Sequence, residues 1–589
     1  MIKKQHKQLL PRANIALVMV YFVNNENNDL HSFCGGIIQK LTNIYNIHHI
    51  MRTKDLIAKR ERRERKLANK KRNESKSHKE PEYIDNEKYT LPSAFSEEVL
   101  SELKHISATI SNEEILRRRD MRDILTCTID PADAKDFDDA LSFKVQDNGN
   151  YQIGIHIADV THYVQEGTAV DEEAYQRGTS IYLVDRVIPM LPERLCNELC
   201  SLRPNEDKLC MSVIVEMNQQ AKVIRHKICR TVIRSDYRLA YEQAQQMLDT
   251  PITTGEKRAL SDALGILNGL AKQLRSKRFE RGAINFETPE VRFHLDEAGN
   301  PTDVVFHQAT DANHLIEEFM LLANRIVAKE VGGNEAKGEK VKNERPFVYR
   351  VHDVPDPEKI VKLGNFIRQF GFHLRASAKR SVQNKHINQL LDSCQGTNSQ
   401  TLIETLTIRS MAKAVYSTSN IGHYGLAFPY YTHFTSPIRR YPDMMVHRLL
   451  SRYLLQSKAP CRHDKEVLEE ACVHCSDTEL MAQMAERSSI KEMQARWISN
   501  HIGEEFEGII SGVTEFGLFV QLSATLTEGL VPIRSIEPHD YMQYDEENFC
   551  LIAARSGKTY TLSDRVRVRV VKADVEKKQI DFALVEESW

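Results

Sequence analysis

No run of apolar residues in this chain approaches the roughly 20 needed to cross a bilayer as a helix. A disulfide framework is lacking as well, because the 11 cysteines are scattered without the spacing of a stapled secreted fold. Both absences point to a reducing cytoplasm. Cys472-Val473-His474-Cys475 has the spacing of zinc ligands, but no second pair completes a tetrahedral site, so buried or idle thiols are expected. Lys3, Lys4 and Lys7 precede an apolar stretch from Ile15 to Val23, yet no small-residue cleavage site follows, which argues against a secretory signal. An excess of one charge is missing too. Lys plus Arg at 80 against Asp plus Glu at 82 leaves −2, so any affinity for nucleic acid has to come from local patches.

What is present bounds the architecture. A length of 589 residues with 41% hydrophobic and 28% charged side chains suits a globular protein of several domains. The chemistry concentrates in Thr128-Ile129-Asp130-Pro131-Ala132-Asp133-Ala134-Lys135-Asp136-Phe137-Asp138-Asp139-Ala140. Five carboxylates there face one nearby cation, Lys135, so burial of the segment demands a further positive charge. Oxygen-only ligands select Mg²⁺, Mn²⁺ or Ca²⁺ over Zn²⁺. An EF-hand counted from Asp136 is excluded, because Leu141 falls where Gly is needed and Asp147 where a bidentate Glu belongs. Alternating apolar residues predict strands over Ile124–Ile129, Ala140–Val145 and Tyr151–Ile157, with Asp147-Asn148-Gly149 as a hairpin turn. The acidic run is therefore read as a loop between strands of one sheet. An acidic surface loop without metal is the competing reading of the spacing alone.

A second constellation is Tyr430-Tyr431-Thr432-His433-Phe434-Thr435-Ser436-Pro437-Ile438-Arg439-Arg440-Tyr441. Ser436 as N-cap and Pro437 at the first position predict a helix start, whose free N–H groups and adjacent guanidinium forks favour an anion. From about Glu505 short strands with turns predict a five-stranded OB barrel. On it Arg565, Arg567 and Arg569 alternate along one strand face, and Phe516 and Phe519 are candidate stacking platforms. Leu260, Leu264, Leu267, Leu270 and Leu274 recur at helical spacing and read as core. Ser235 is read as the cap of a helix carrying Tyr241, Ser111 as a capping box, and Ser476-Asp477-Thr478-Glu479 as the cap of a last helix towards Trp497.

Together these stretches resemble the RNB exoribonuclease family. Asp130, Asp136, Asp138 and Asp139 stand at the spacing of its signature, and the segments around Tyr182, Ile188–Leu195 and Arg439 match it as well. The terminal barrel, with Val513-Thr514-Glu515-Phe516-Gly517-Leu518-Phe519-Val520, resembles the S1 RNA-binding domain. The resemblance implies an α+β fold: an RNB catalytic domain of mixed sheet surrounded by helices over residues 91–500, then an S1-type OB barrel over 503–586. Residues 1–90 form an atypical N-terminal extension in which the family's cold-shock strand pattern is missing. Its basic run from Arg52 to Lys79 is as compatible with a solvated tail as with an RNA-contacting arm.

The resemblance further implies Mg²⁺-dependent, processive hydrolysis of RNA from its 3′ end to nucleoside 5′-monophosphates in RNA turnover. Two ions are expected, with Mn²⁺ able to substitute. Asp130, Asp136 and Asp139 would hold metal, Asp138 would complete the site or position water, and Arg439 would face the scissile phosphate. Tyr182 and Phe286 would stack on terminal bases, Tyr241 would lie near the leaving nucleotide, Glu318 would contact a ribose, and Arg440 would add charge. The expected partner is single-stranded RNA or RNA with a 3′ overhang, bound by a cytoplasmic monomer without membrane contact. A binding protein that kept the fold and lost catalysis is the competing class, and an endonuclease using the same metals is a third.

Overall fold

The structure, a computed structural model, describes residues 83–86, 89–92, 94–284, 290–332, 345–374, 382–397, 399–455, 464–537, 539–545 and 548–585, which all belong to one compact unit beginning at Pro81. Residues 1–82 with their basic run, Phe286 and residues 333–344 lie outside these. A short antiparallel pair, Tyr83–Asn86 with Tyr89–Pro92, stands where the sequence reading found no strands.

A seven-stranded mixed sheet carries the first half. Its strands are β1 (Arg119–Asp120), β2 (Thr126–Asp130), β3 (Asp139–Val145), β4 (Tyr151–Ala158), β5 (Asp207–Met217), β6 (Val223–Arg234) and β7 (Tyr237–Ala240). Their order across the sheet is β7-β2-β3-β4-β5-β6-β1, with parallel pairs only at the two ends. The turn between β3 and β4 forms at Gly149, whose φ of 77° is open to glycine at no steric cost. Ile153, Ile155 and Ile157 of β4 are fully buried, and β5 is buried along almost its whole length, as expected of strands covered on both faces.

One polar ladder crosses this interior. His156 hydrogen-bonds Ser142 and Ser212, each at 2.8 Å, and Ser212 continues to Thr231 at 2.6 Å. Burial pushes the imidazole down to about 3, so it is neutral, and a one-residue slip of any of these strands would strand its partners in an apolar core. The ladder lies one residue along β3 from Asp139, because His156 pairs with Ala140.

Helices α1 (Tyr241–Asp249), α2 (Arg258–Glu280) and α3 (Asp311–Gly332) follow in the chain and pack on one another and on the sheet. Leu260, Leu264, Leu267 and Leu270 are buried in this core and Leu274 packs against it, as their spacing predicts. The helix starts expected at Ser235 and Ser476 are not found. Ser235 precedes strand β7, and its hydroxyl donates to the Tyr237 carbonyl, so α1 begins later, with Gln243 accepting from the Ala240 N–H. Ser476 caps nothing: α4 (Tyr441–Leu450) is followed by α5 (Asp464–Ile498), a continuous helix of 35 residues in which the Ser476 hydroxyl donates back to Cys472 O. Cys472 and Cys475 are thereby buried within one helix, and His474 bonds Tyr175 O.

The chain ends in a closed barrel of β8 (Glu505–Thr514), β9 (Gly517–Leu522), β10 (Glu528–Pro532), β11 (Arg565–Asp574) and β12 (Gln579–Leu584), ordered β8-β9-β10-β12-β11. This is the predicted five-stranded OB barrel. Its apolar interior is continuous with the helices Pro357–Ile367, Asn384–Cys394 and Gln400–Ser410. The first of these is capped by Asp356, as its Asp-Pro start predicts.

Candidate active site

The acidic run spans the end of β2 and the start of β3, which are adjacent and antiparallel. Asp133 is exposed, which leaves four carboxylates at the facing ends of β2 and β3 and in the loop between them. Residues invisible to motif reading tie this loop down. Ser201 accepts from the Phe137 N–H at 3.0 Å and donates to Lys135 O at 2.7 Å. Arg238 donates to Pro131 O and Ala132 O at 2.9 and 2.7 Å, and its guanidinium lies 5.4 Å from the centre of the Phe137 ring. Neither residue belongs to a recognisable pattern, because each is specified only by where the chain returns.

The second constellation arrives from 300 residues away. Ser436 to Arg440 form a tight turn, with the Arg439 and Arg440 N–H groups donating to Ser436 O, and helix α4 begins at Tyr441. This corrects the expected helix start at Ser436. The reason is Asp443, whose buried carboxylate accepts from the Ser436 N–H at 2.8 Å and from Arg440 at 2.7 Å, holding the turn ahead of the helix. Pro442 sits in the first turn of α4, where its missing N–H costs nothing.

The amide that this turn frees goes to a protein carboxylate. Ile438 N–H donates to Asp138 Oδ1 at 2.9 Å, and Arg439 Nε stands 3.5 Å from Asp138 Oδ2. Arg439 also donates to Ser436 Oγ at 3.0 Å and keeps 42% of its side chain exposed, so its guanidinium can still reach a ligand. Arg440 is instead buried against Asp443 and supports the turn.

Tyr182 is delivered by the same stitching. Ser180 N–H and Thr179 Oγ both donate to Arg439 O at 3.0 Å, and Tyr441 N–H donates to Gly178 O at 2.9 Å. Tyr182 is 39% exposed, and it lies close enough to Asp136 to oppose the rise that burial causes in that carboxyl. Tyr241, at the start of α1, lies within the fields of Asp139 and Asp130, which add to burial in raising its pKa. Glu318 is ion-paired through one oxygen, its Oε1 accepting from Arg278 Nη2 at 2.5 Å. In the barrel, Phe516 is 66% exposed, whereas Phe519 is half-buried against Gly512. Arg567 and Arg569 lie opposite Glu507 and Glu505, so much of the expected basic stripe is neutralised.

The electrostatics of the aspartates are unbalanced. Burial is the first cause raising Asp130, Asp136, Asp138 and Asp139, and repulsion within the group adds to it for Asp130, Asp138 and Asp139. Arg439 opposes the rise at Asp136, Asp138 and Asp139 without cancelling it. Asp130 Oδ2 and Asp138 Oδ2 are buried with no hydrogen-bond donor. Among the described residues no three acidic, His or Cys side chains are drawn into a finished metal cluster. Mutually repelling carboxylates with orphaned oxygens nevertheless make a donor set suited to a hard divalent cation.

Comparison with known proteins agrees with this geometry. The pattern of the RNB domain matches residues 118–456, and that of the S1 RNA binding domain matches residues 500–584. The chain belongs to the RNB family. It is 43% identical to ribonuclease R of Thermotoga maritima over 501 residues, covering 84% of this chain and 69% of that protein. It is 40% identical to ribonuclease R of Aquifex aeolicus, covering 85% and 69%. The solved structure of Mycoplasma genitalium RNase R in complex with ribose methylated single-stranded RNA superposes with a TM-score of 0.76 at 28% identity, covering 84% of this chain and 76% of that one. This RNB-family chain is a 3′-to-5′ exoribonuclease, a metal-dependent nuclease of the hydrolase class with a C-terminal S1 domain. No helix among the described residues is long and apolar enough to cross a membrane.

Proposed function

We propose that the chain hydrolyses single-stranded RNA, or RNA with a 3′ overhang, processively to nucleoside 5′-monophosphates with Mg²⁺ held by Asp130, Asp136, Asp138 and Asp139. One observation carries the reading: Arg439 and the Ile438 amide are brought onto Asp138 across 300 residues, joining a cationic fork to a buried carboxylate set. Divalent ions bound to such a set supply Lewis acidity and a lowered pKa for water. The protein's own groups do the rest. Arg439 stabilises charge that builds on the non-bridging phosphate oxygens, where a preorganised donor in a dry site is most effective. Tyr182, close beside Asp136, presents its ring to a terminal base. Tyr241 stands beside Asp130 and Asp139, in reach of the leaving nucleotide. In the barrel, the exposed Phe516 is the stacking platform.

Solved ribonuclease R complexes with single-stranded and double-stranded RNA support this choice of substrate. Nine described cysteines, all buried and unpaired, suit a reducing cytoplasm.

Digestion of a 5′-labelled RNA by the protein and by Asp138→Asn tests the reading. Asn keeps the acceptor for Ile438 N–H and removes the charge. The expected result is a ladder shortening from the 3′ end with Mg²⁺, abolished by chelator and slowed on the order of 10³-fold in the variant. Internal fragments would identify an endonuclease, and intact RNA that shifts on a native gel would identify a binding protein.

A further inference from the structure

A cavity of about 510 Å³ opens between the tip of the β5–β6 hairpin and helices α2 and α3. None of the four aspartates, Arg439, Tyr182 or Tyr241 lines it. Its walls carry five cations, Lys222, Lys277, Arg278, Arg281 and Arg325, against one carboxylate, Glu318.

The single carboxylate is already spent. Glu318 accepts from Arg278 Nε and Nη2 at 2.9 and 2.5 Å, and Arg278 reaches Glu317 as well at 3.2 Å. Lys277 is held by the Gln220 carbonyl. Lys222, Arg281 and Arg325 remain, and among the described residues none of these three side chains has an ion-pair or hydrogen-bond partner. Arg325 lies 5.3 Å from the centre of the Phe428 ring. Burial, with the charge of Arg281 added to it, pushes Arg325 below its usual value, although Glu318 opposes the shift. A desolvated guanidinium beside a second one is costly unless an anion joins them.

The chemistry of that anion follows from the walls. Two free guanidinium forks match the charge of a phosphate monoester, about −1.5 to −2, and its several oxygens. Leu274, Leu321, Leu322 and Phe428 form an apolar side on which a planar ring can lie. The volume falls in the range of small-molecule sites, roughly 300–1,000 Å³. We propose that this cavity is a second binding site that takes a nucleotide, with its phosphate on Arg281 and Arg325 and its base against the apolar side near Phe428. Only the choice of a nucleotide as the organic part rests on the proposed reaction; of the lining residues Glu318 alone was expected at the catalytic site, and its Oε1 is held by Arg278.

The test uses the full chain in chelator, so that the metal-dependent site is silent. Adenosine 5′-monophosphate and inorganic phosphate are titrated calorimetrically into the wild type, Arg281→Glu, Arg325→Gln, Arg325→Lys and Asp138→Asn. Arg281 is exposed, so reversing its charge leaves the core intact even if Arg325→Gln fails to fold. Expected is a loss of nucleotide affinity of about tenfold or more in Arg281→Glu and Arg325→Gln, with partial retention in Arg325→Lys and wild-type affinity in Asp138→Asn. A single-stranded oligoribonucleotide then separates the two sources of phosphate, in the Asp138→Asn background. If Arg281→Glu weakens RNA binding in parallel, the site takes phosphates of the strand; if only the mononucleotide is lost, it takes free nucleotides. No nucleotide binding by the wild type, undiminished binding in Arg281→Glu, or a loss confined to Asp138→Asn would overturn the proposal. The last of these would return the ligand to the aspartate centre without touching the exonuclease reading.

Discussion

The acidic loop and the terminal barrel handle charge in opposite ways. At the acidic loop between β2 and β3 four carboxylates crowd together, with Arg439 acting on three of them and Arg238 on Asp130, and two of their oxygens have no donor. On the barrel Arg569 is paired with Glu505 at 2.6 Å, Arg567 faces Glu507, and an uncharged ring, Phe516, stands 66% exposed. Uncompensated charge is kept where the proposed chemistry needs it, whereas on the barrel two arginines of one strand face glutamates of the next. Strained electrostatics in the first region must be offset by scaffolding, whereas the second needs none.

That contrast predicts a hierarchy of effects. The largest falls on the scaffold: Asp443→Ala leaves buried Arg440 without its partner and should cost about 3–5 kcal/mol in unfolding free energy, measured by denaturant titration. A loss under about 1 kcal/mol would show that the turn holds itself.

Next comes the carboxylate set. The folded values of Asp130, Asp136, Asp138 and Asp139 are raised, so their protonated forms favour the fold. Their contribution is full below the ordinary carboxylate range and is lost as pH rises through the raised values. Mg²⁺ should therefore stabilise the protein more as pH rises, by about 2.7 kcal/mol at a hundredfold excess over its dissociation constant. Melting curves with and without the ion across the acid-to-alkaline range check this, and a shift independent of pH would break the comparison.

Phe516→Ala should weaken single-stranded RNA binding by about 1–3 kcal/mol and leave turnover of a trinucleotide unchanged. Gel-shift and single-turnover assays separate the two. Arg567→Gln is the smallest change, within about 0.2–1 kcal/mol in the same binding assay, because Glu507 already screens it. A larger loss would restore the basic stripe that the alternation of Arg565, Arg567 and Arg569 first suggested.

Local patterns carried much of this architecture into the sequence. Alternation across Tyr151–Ile157, the Asn-Gly turn and the Asp356-Pro357 start specify strand, hairpin and helix through nearest neighbours alone, and all three form. The misread starts share another cause. Ser436 and Ser476 carry the side chains of helix caps, but Asp443 bonds the backbone of Ser436 and helix α5 runs through Ser476. A cap is chosen by competition among partners, and distant partners are not visible in a short window. The same holds for Ser201 and Arg238, which hold the acidic loop without belonging to any motif, and for Arg440, which sits beside Arg439 in sequence yet pairs with Asp443 instead of the acidic loop.

Helix α5 gives the barrel a second meaning. Two consecutive residues on it, Ser488 and Ser489, look to different masters: Lys578 of the barrel bonds the first, and the second accepts from Val184, two residues beyond Tyr182. Mechanically this is a shared bearing, one shaft carrying two wheels. A swing of the barrel would load the mount of Tyr182, the aromatic proposed to stack on the terminal base. Cutting the chain before Glu505 would thus remove a support as well as a domain, and slower chemistry in such a truncated protein would report a loosened axle before it reported a lost grip on RNA.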